Sequence, residues 1–229
     1  DLADVKSMLN LLKSLGVNYS ISKKNSVILD ASNNISSIAK YDLVRKMRAS
    51  FLVLGPLLTK NGFAKVSLPG GCAIGLRPVD LHVYAMKKLG AEIRLEDGYV
   101  IAKARKGQLR GNKITFPQVS VGATENAIIA SVFAKGETII KNAAMEPEVQ
   151  DLCKCLISMG VKIDGIGTSS ISIQGVNSLK KISHSIIYDR IEACSFIIAA
   201  AITKSHLSIR NVNACHIKSF LCVMKKIGL

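Results

Sequence analysis

A chain of 229 residues with 31 basic and 16 acidic side chains carries a formal net charge of +15, and 48% of its residues are hydrophobic. That composition excludes a disordered polyelectrolyte; with no Trp and 5% aromatics, the core must be built from Ile, Leu, Val, Ala and Met. The positive charge suits phosphorylated ligands, but the lysines are scattered and no aromatic residues interleave them, so no nucleic-acid partner is expected.

The opening stretch Asp1-Leu2-Ala3-Asp4-Val5-Lys6 reads as the start of an amphipathic helix, not as a secretory leader. That helix runs to Gly16, with Met8, Leu11, Leu12 and Leu15 on one face, and an alternating strand pair over 17–22 and 26–30 follows. A long apolar segment at 41–58 predicts a second helix, and 64–68 a strand. The same order then recurs. An amphipathic helix carries Leu81, Tyr84, Ala85 and Leu89, strands run over 91–95 and 99–104, an apolar helix over 121–134 and a strand over 137–142. A third round has Val149, Leu152, Cys153 and Leu156 on a helix face, strands at 161–164 and 170–174, an apolar helix at 189–202 and a strand at 206–211. A last helix at 217–228 follows.

The four amphipathic helices end alike, at Gly16, Gly90, Gly160 and Gly228, spaced by 74, 70 and 68 residues. Glycine there suits a left-handed helix cap. The unit is a repeat of about 70 residues reading strand, helix, two strands, helix. The apolar helices at 41–58, 121–134 and 189–202 lack a polar face and are expected inside, with sheets outside. The longest apolar runs, near 51–58 and 193–202, are too short to cross a bilayer, so no membrane contact and a cytoplasmic location are expected.

Six cysteines, at 72, 153, 155, 194, 215 and 222, form no CxxC, and the four histidines add no metal-ligand spacing. Free thiols and no metal site are expected. Cys72 alone sits in a glycine-rich stretch, Pro69-Gly-Gly-Cys-Ala-Ile-Gly-Leu-Arg-Pro-Val-Asp-Leu-His, with Arg77 just before a helix. A thiol beside a cation and a helix N-terminus can handle an anion; a turn with a structural cysteine is the commoner outcome for such a segment. Ser120 reads by default as an N-cap, and Arg48 as a cation snorkelling from an apolar helix or pairing with Asp42 or Asp80. Asp189, Arg190 and Glu192 read as a charge pair at a helix start.

Five stretches resemble one family: Tyr41-Asp-Leu-Val-Arg-Lys-Met-Arg-Ala-Ser; the Cys72 segment from Leu68; Val119-Ser-Val-Gly-Ala-Thr-Glu-Asn; Asn142-Ala-Ala-Met-Glu-Pro-Glu-Val-Gln-Asp-Leu; and Asp189-Arg-Ile-Glu-Ala. The family is UDP-N-acetylglucosamine 1-carboxyvinyltransferase, and the resemblance runs from residue 1 to 229. It implies an α/β fold, an inside-out α/β barrel of repeated βαβαββ units with buried helices, here incomplete. Residues 1–187 would form a first lobe and 188–229 the start of a second. The implied reaction moves the enolpyruvyl group of phosphoenolpyruvate to the 3′-hydroxyl of UDP-N-acetylglucosamine, a step of peptidoglycan precursor synthesis, with no metal or organic cofactor. Cys72 resembles the family's proton-donor cysteine, alkylated by fosfomycin. Arg48 resembles a substrate-contacting arginine, and Arg77, Pro78, Val79, Asp80 and Leu81 the segment holding uridine and diphosphate. Gln118, Val119, Ser120, Val121 and Gly122 resemble the phosphate-side turn. Gln118 stands where some members have lysine, and Tyr188 and Cys194 where proline and glycine are expected. The family's N-terminal Lys-Asn pair and most of its second lobe, with a general-base aspartate, have no counterpart here, so the chain by itself is expected to be inactive. The alternative is a non-catalytic remnant that at most binds a UDP-sugar.

Overall fold

The computed structural model describes residues 2–22, 26–70 and 78–228. Helix α1 (Ala3–Ser14) and the antiparallel hairpin β1 (Asn18–Ile21) and β2 (Val27–Asp30) open the chain. Two complete βαβαββ units follow. The first comprises β3 (Ile38–Ala39), α2 (Tyr41–Val44), a 3-10 turn over Arg48–Val53, α3 (Leu54–Asn61), β4 (Phe63–Ser67), α4 (Asp80–Lys88), β5 (Ala91–Glu96) and β6 (Tyr99–Ala104). The second comprises β7 (Lys113–Thr115), α5 (Val121–Ser131), β8 (Glu137–Lys141), α6 (Pro147–Ser158), β9 (Lys162–Asp164) and β10 (Ser170–Gln174).

The two units repeat one topology. Their sheets run β3-β4-β6-β5 and β7-β8-β10-β9, with the first pair parallel and the rest antiparallel. The parallel strands β3 and β7 are too short for an alternating pattern to show, and residue-by-residue periodicity gives no sign of them. β6, β8 and β10 alternate buried and more exposed residues, so each sheet turns one face to the helices. Ala123, Ala127, Ile128 and Ala130 of α5 lie between the inner face of the second unit's sheet and α3 and α4, fully buried. This is the expected arrangement, helices inside and sheets outside.

Gly16, Gly90, Gly160 and Gly228 all have φ between 90° and 102°, as the four-fold cap pattern requires. Gly55 has a different task. Its amide donates to Oδ1 of Asn126 at 2.8 Å, and a Cβ there would collide with Asn126, so α3 and α5 cross at backbone distance.

Three expectations need correction. The helix over 41–58 is broken: Met47 is extended at φ −151°, ψ 127°, and Pro56, which lacks an N–H, fits only the first turn of the new helix α3. No strand forms over 206–211, where the backbone finds no ladder partner among the described residues. The helix over 189–202 does form, as α7 (Arg190–Ile202), but of its residues only Ala193 is buried. A 3-10 turn, Ala214–Ile217, and α8 (Lys218–Lys226) close the chain. Among the described residues no helix is long and apolar enough to cross a membrane, and no group of His, Cys, Asp and Glu suits a metal ion.

Candidate functional site

Two helix N-termini meet where the sequence places its candidate residues. Helix α4 begins after Pro78 and Val79, with Asp80 in its first turn and Leu81 turned into the core. Helix α5 begins after Ser120, whose Oγ accepts the Ala123 amide at 3.4 Å. The capping role expected from sequence is therefore real, and it leaves the hydroxyl proton of Ser120 available for donation. Arg48, half-buried at the start of its 3-10 turn, donates from Nη2 to the Pro78 carbonyl at 3.0 Å and so fixes the approach to α4. Gln118 and Val119 are exposed beside the cap, while Val121 and Gly122 are half-buried in the first turn of α5. Arg48, Pro78–Leu81 and Ser120–Gly122 thus border one region. Cys72 and Arg77 lie outside the described residues.

The link between the two N-termini is a residue to which sequence reasoning gave no role. His82, in the first turn of α4, is 6% exposed, and a Cβ on Gly122 would stand 3.3 Å from its Cε1 and 3.5 Å from its Nε2. Glycine lets the first turn of α5 close against the imidazole edge. Nδ1 of His82 lies 3.1 Å from Nδ2 of Asn126, which also donates to the Phe51 carbonyl at 3.3 Å. The Phe51 ring meets the imidazole edge-on at 5.3 Å. Because an amide nitrogen only donates, Nδ1 must accept, and the ring is the neutral Nε2–H tautomer. Burial, and then the charge of Arg48, push the His82 pKa down to about 4, with Asp80 opposing. The only sequence signal was a polar pair, His82 and Asn126, on otherwise apolar helix faces.

A second group of polar residues lies where α5, α6 and α7 approach. Glu148 takes a bidentate pair from Arg190, at 3.0 and 2.8 Å. This corrects the pairing expected at the start of α7. Asp189 instead caps that helix by accepting the amides of Ile191 and Glu192, and Arg190 reaches across to α6. Burial and the charges of Glu148 and Glu146 raise the Glu125 pKa to about 7. Tyr188 stacks on His216 at 5.6 Å and donates to the Asn213 carbonyl at 2.8 Å. For Cys194 the structure offers no particular role.

Comparison with known proteins converges with this geometry. The family model for EPSP synthase (3-phosphoshikimate 1-carboxyvinyltransferase) matches residues 1–229. The UDP-N-acetylglucosamine 1-carboxyvinyltransferase of Zymomonas mobilis is 52% identical over 234 residues, covering all of this chain and 55% of that protein. The enzyme of the same name from Rickettsia africae is 50% identical over 231 residues, with the same coverage. The chain spans about half the length of these relatives. Among solved structures, the enolpyruvyl transferase NikO from Streptomyces tendae aligns with a TM-score of 0.70 at 24% identity, over 87% of this chain and 47% of that one. EPSP synthase from Acinetobacter baumannii aligns with a TM-score of 0.66 at 19% identity, over 87% and 46%. With the family model matched along its whole length and the βαβαββ units in place, the chain belongs to the EPSP synthase family of enolpyruvyl transferases.

Proposed function

We propose that this chain supplies the nucleotide-sugar half of an enzyme that transfers the enolpyruvyl group of phosphoenolpyruvate to the 3′-hydroxyl of UDP-N-acetylglucosamine, releasing phosphate. The supporting observation is the meeting of two helix N-termini, Pro78–Leu81 and Ser120–Gly122, in a chain half identical to proteins of that name. Amides at two helix N-termini and a serine hydroxyl favour a diphosphate, and Arg48 holds the segment before α4 in place for it. In this reading Arg77, Pro78, Val79, Asp80 and Leu81 hold the uridine and diphosphate, and Gln118 contributes an amide where some relatives have a lysine.

Cys72 is the proton donor to the enolpyruvyl carbon in this scheme, a task suited to a thiol whose thiolate is favoured by a nearby cation and loop amides. The base that deprotonates the sugar hydroxyl belongs to the half of the relatives' length this chain does not span. Residues 1–187 then form one lobe and 188–229 the beginning of another, a division supported by the scant burial of α7. Peptidoglycan precursor synthesis in the cytoplasm, and inactivation by fosfomycin at Cys72, belong to the same proposal.

Calorimetry with UDP-N-acetylglucosamine tests the binding half of this scheme: saturable binding is expected. Phosphate release on adding phosphoenolpyruvate is expected to be undetectable. Turnover by the 229-residue chain that disappears in Cys72→Ala would overturn the assignment of the base to another half.

A further inference from the structure

Basic residues that are scattered along the sequence are gathered by the fold at the end of α4 opposite the candidate site. There Lys88, Arg105, Lys106 and Arg110 line a cavity of about 570 Å³, and among the described residues no acidic side chain lines it. Two consecutive left-handed residues, Lys106 at φ 54° and Gly107 at φ 75°, turn the chain after β6, and the fully buried Leu109 pins the loop. The Arg110 amide then bonds the Leu89 carbonyl, and the Gly111 amide the Lys135 carbonyl, both at 2.9 Å. The cations therefore stand on a braced backbone.

A helix C-terminus ordinarily repels anions, because its last carbonyls carry partial negative charge. Here those carbonyls are occupied. Ala85 and Lys87 accept from the Leu89 and Gly90 amides, and Lys88 and Leu89 from Asn112 Nδ2 and the Arg110 amide. The cations keep their charge for a ligand. Arg105 donates to Glu92 through Nε alone, at 3.2 Å, and Lys88 lies 5.4 Å over the Tyr84 ring. Lys106 and Arg110 make no ion pair among the described residues. Left-handed backbone favours glycine over lysine, so Lys106 carries its charge at a strained position without a fold-stabilising partner.

We propose that this cavity binds the oligophosphate group of a free small molecule, at a site separate from the one between the N-termini of α4 and α5. Helix α4 has nine residues and spans about 13 Å, which sets the two sites at its opposite ends. Two guanidinium forks and two ammonium groups in a concavity of small-molecule size suit a compact anion of high charge. A nucleic-acid strand calls for an extended basic track with aromatic stacking platforms, and no aromatic residue lines this cavity. The proposal does not rest on the function proposed above.

Calorimetry of the 229-residue chain with inorganic tripolyphosphate tests it. One saturable site is expected, weakening as ionic strength rises and undisturbed by saturating UDP-N-acetylglucosamine. Lys106→Gly combined with Arg110→Gln should weaken binding about tenfold. Because glycine suits the left-handed turn, the thermal midpoint should not fall. Lys154→Gln with Lys162→Gln removes the same charge from the exposed surface of α6 and β9 and should leave affinity within twofold of the parent. Affinity of the Lys106→Gly, Arg110→Gln variant within twofold of the parent overturns the proposal. So does equal weakening by the two control substitutions, which would trace binding to net charge. Displacement by UDP-N-acetylglucosamine also overturns it, by moving the ligand to the helix N-termini. If the cavity variant unfolds, NMR of the parent decides: tripolyphosphate should shift the Gly107 and Gly111 amides, and unmoved signals overturn the proposal. Phosphatidylglycerol vesicles or duplex DNA binding where tripolyphosphate does not would likewise overturn it, in favour of a macromolecular surface.

Discussion

Helices α5 and α7 are both apolar around most of their circumference, and they sit in opposite surroundings. Ala123, Ala127, Ile128 and Ala130 of α5 are sealed between α3, α4, α6 and the sheet of the second unit. In α7, Ile191 is 60% exposed, Phe196 53% and Ile202 78%, and its neighbour across an apolar groove is the 3-10 turn and α8. An apolar circumference therefore states a requirement for neighbours and does not supply them. The polar contacts differ accordingly. α5 is tied to α3 and α4 through the buried Asn126, whereas α7 is tied to α6 by the half-exposed pair of Arg190 and Glu148.

The sharpest way to break this comparison is one truncation made in both helices. Ile128→Ala should cost about 3–4 kcal/mol in urea unfolding, as a cavity in a sealed core, and Ile198→Ala less than about 1 kcal/mol. Equal losses would mean that α7 is packed in solution.

A smaller effect tests the electrostatics between α5 and α6. The raised Glu125 pKa means the unfolded chain loses that proton near 4.5 while the folded chain keeps it to about 7. Stability from this group therefore falls as pH rises through that window. Glu125→Gln should match the parent near pH 4 and exceed it by roughly 2 kcal/mol near pH 8. His82 slopes the other way, because a ring held neutral to about 4 loses stability as pH falls from 6.5. The parent curve should be flat where the windows overlap, and Glu125→Gln should expose the His82 slope. A variant parallel to the parent throughout would remove the Glu125 assignment.

The smallest effect concerns the tie on α7. Arg190→Ala should cost at most about 1 kcal/mol near neutral pH, since the pair is partly open to water. Burial pushes the Glu148 pKa up, but the hydrogen bonds and charge of Arg190 help to outweigh it and the net shift is downward, so the contribution of the pair is present above the ordinary carboxylate range and is lost as pH falls through the folded value. Limited proteolysis over 176–188 should quicken at neutral pH and match the parent in acid.

Much of the fold was legible because its signals are local. The glycine caps at 16, 90 and 160, the helix faces they close and the hairpins behind them each declare themselves within a few residues. Pro56 shows where that reading fails, since the apolar run continues through it although the helix must restart. The missing strand at 206–211 fails for another reason: alternation marks a capacity to pair, and pairing needs a partner. The capping role of Ser120 was legible because its chemistry is local, and the candidate segment after Arg77 was marked by its family resemblance alone. His82 and Asn126 were hidden because their meaning lies in a contact between residues 44 positions apart.

That contact also bears on how the molecule comes together. Asn126 belongs to the second βαβαββ unit, while Phe51, Gly55 and His82 belong to the first, at separations of 75, 71 and 44 residues. Closing such loops is entropically costly, so these bonds should form late, after local helices and hairpins. Until then each unit holds amide or imidazole groups that only the other can satisfy. The two repeats, alike in topology, are therefore obligate co-folders: a single cooperative transition should cover both, and neither half excised alone should fold as a stable module.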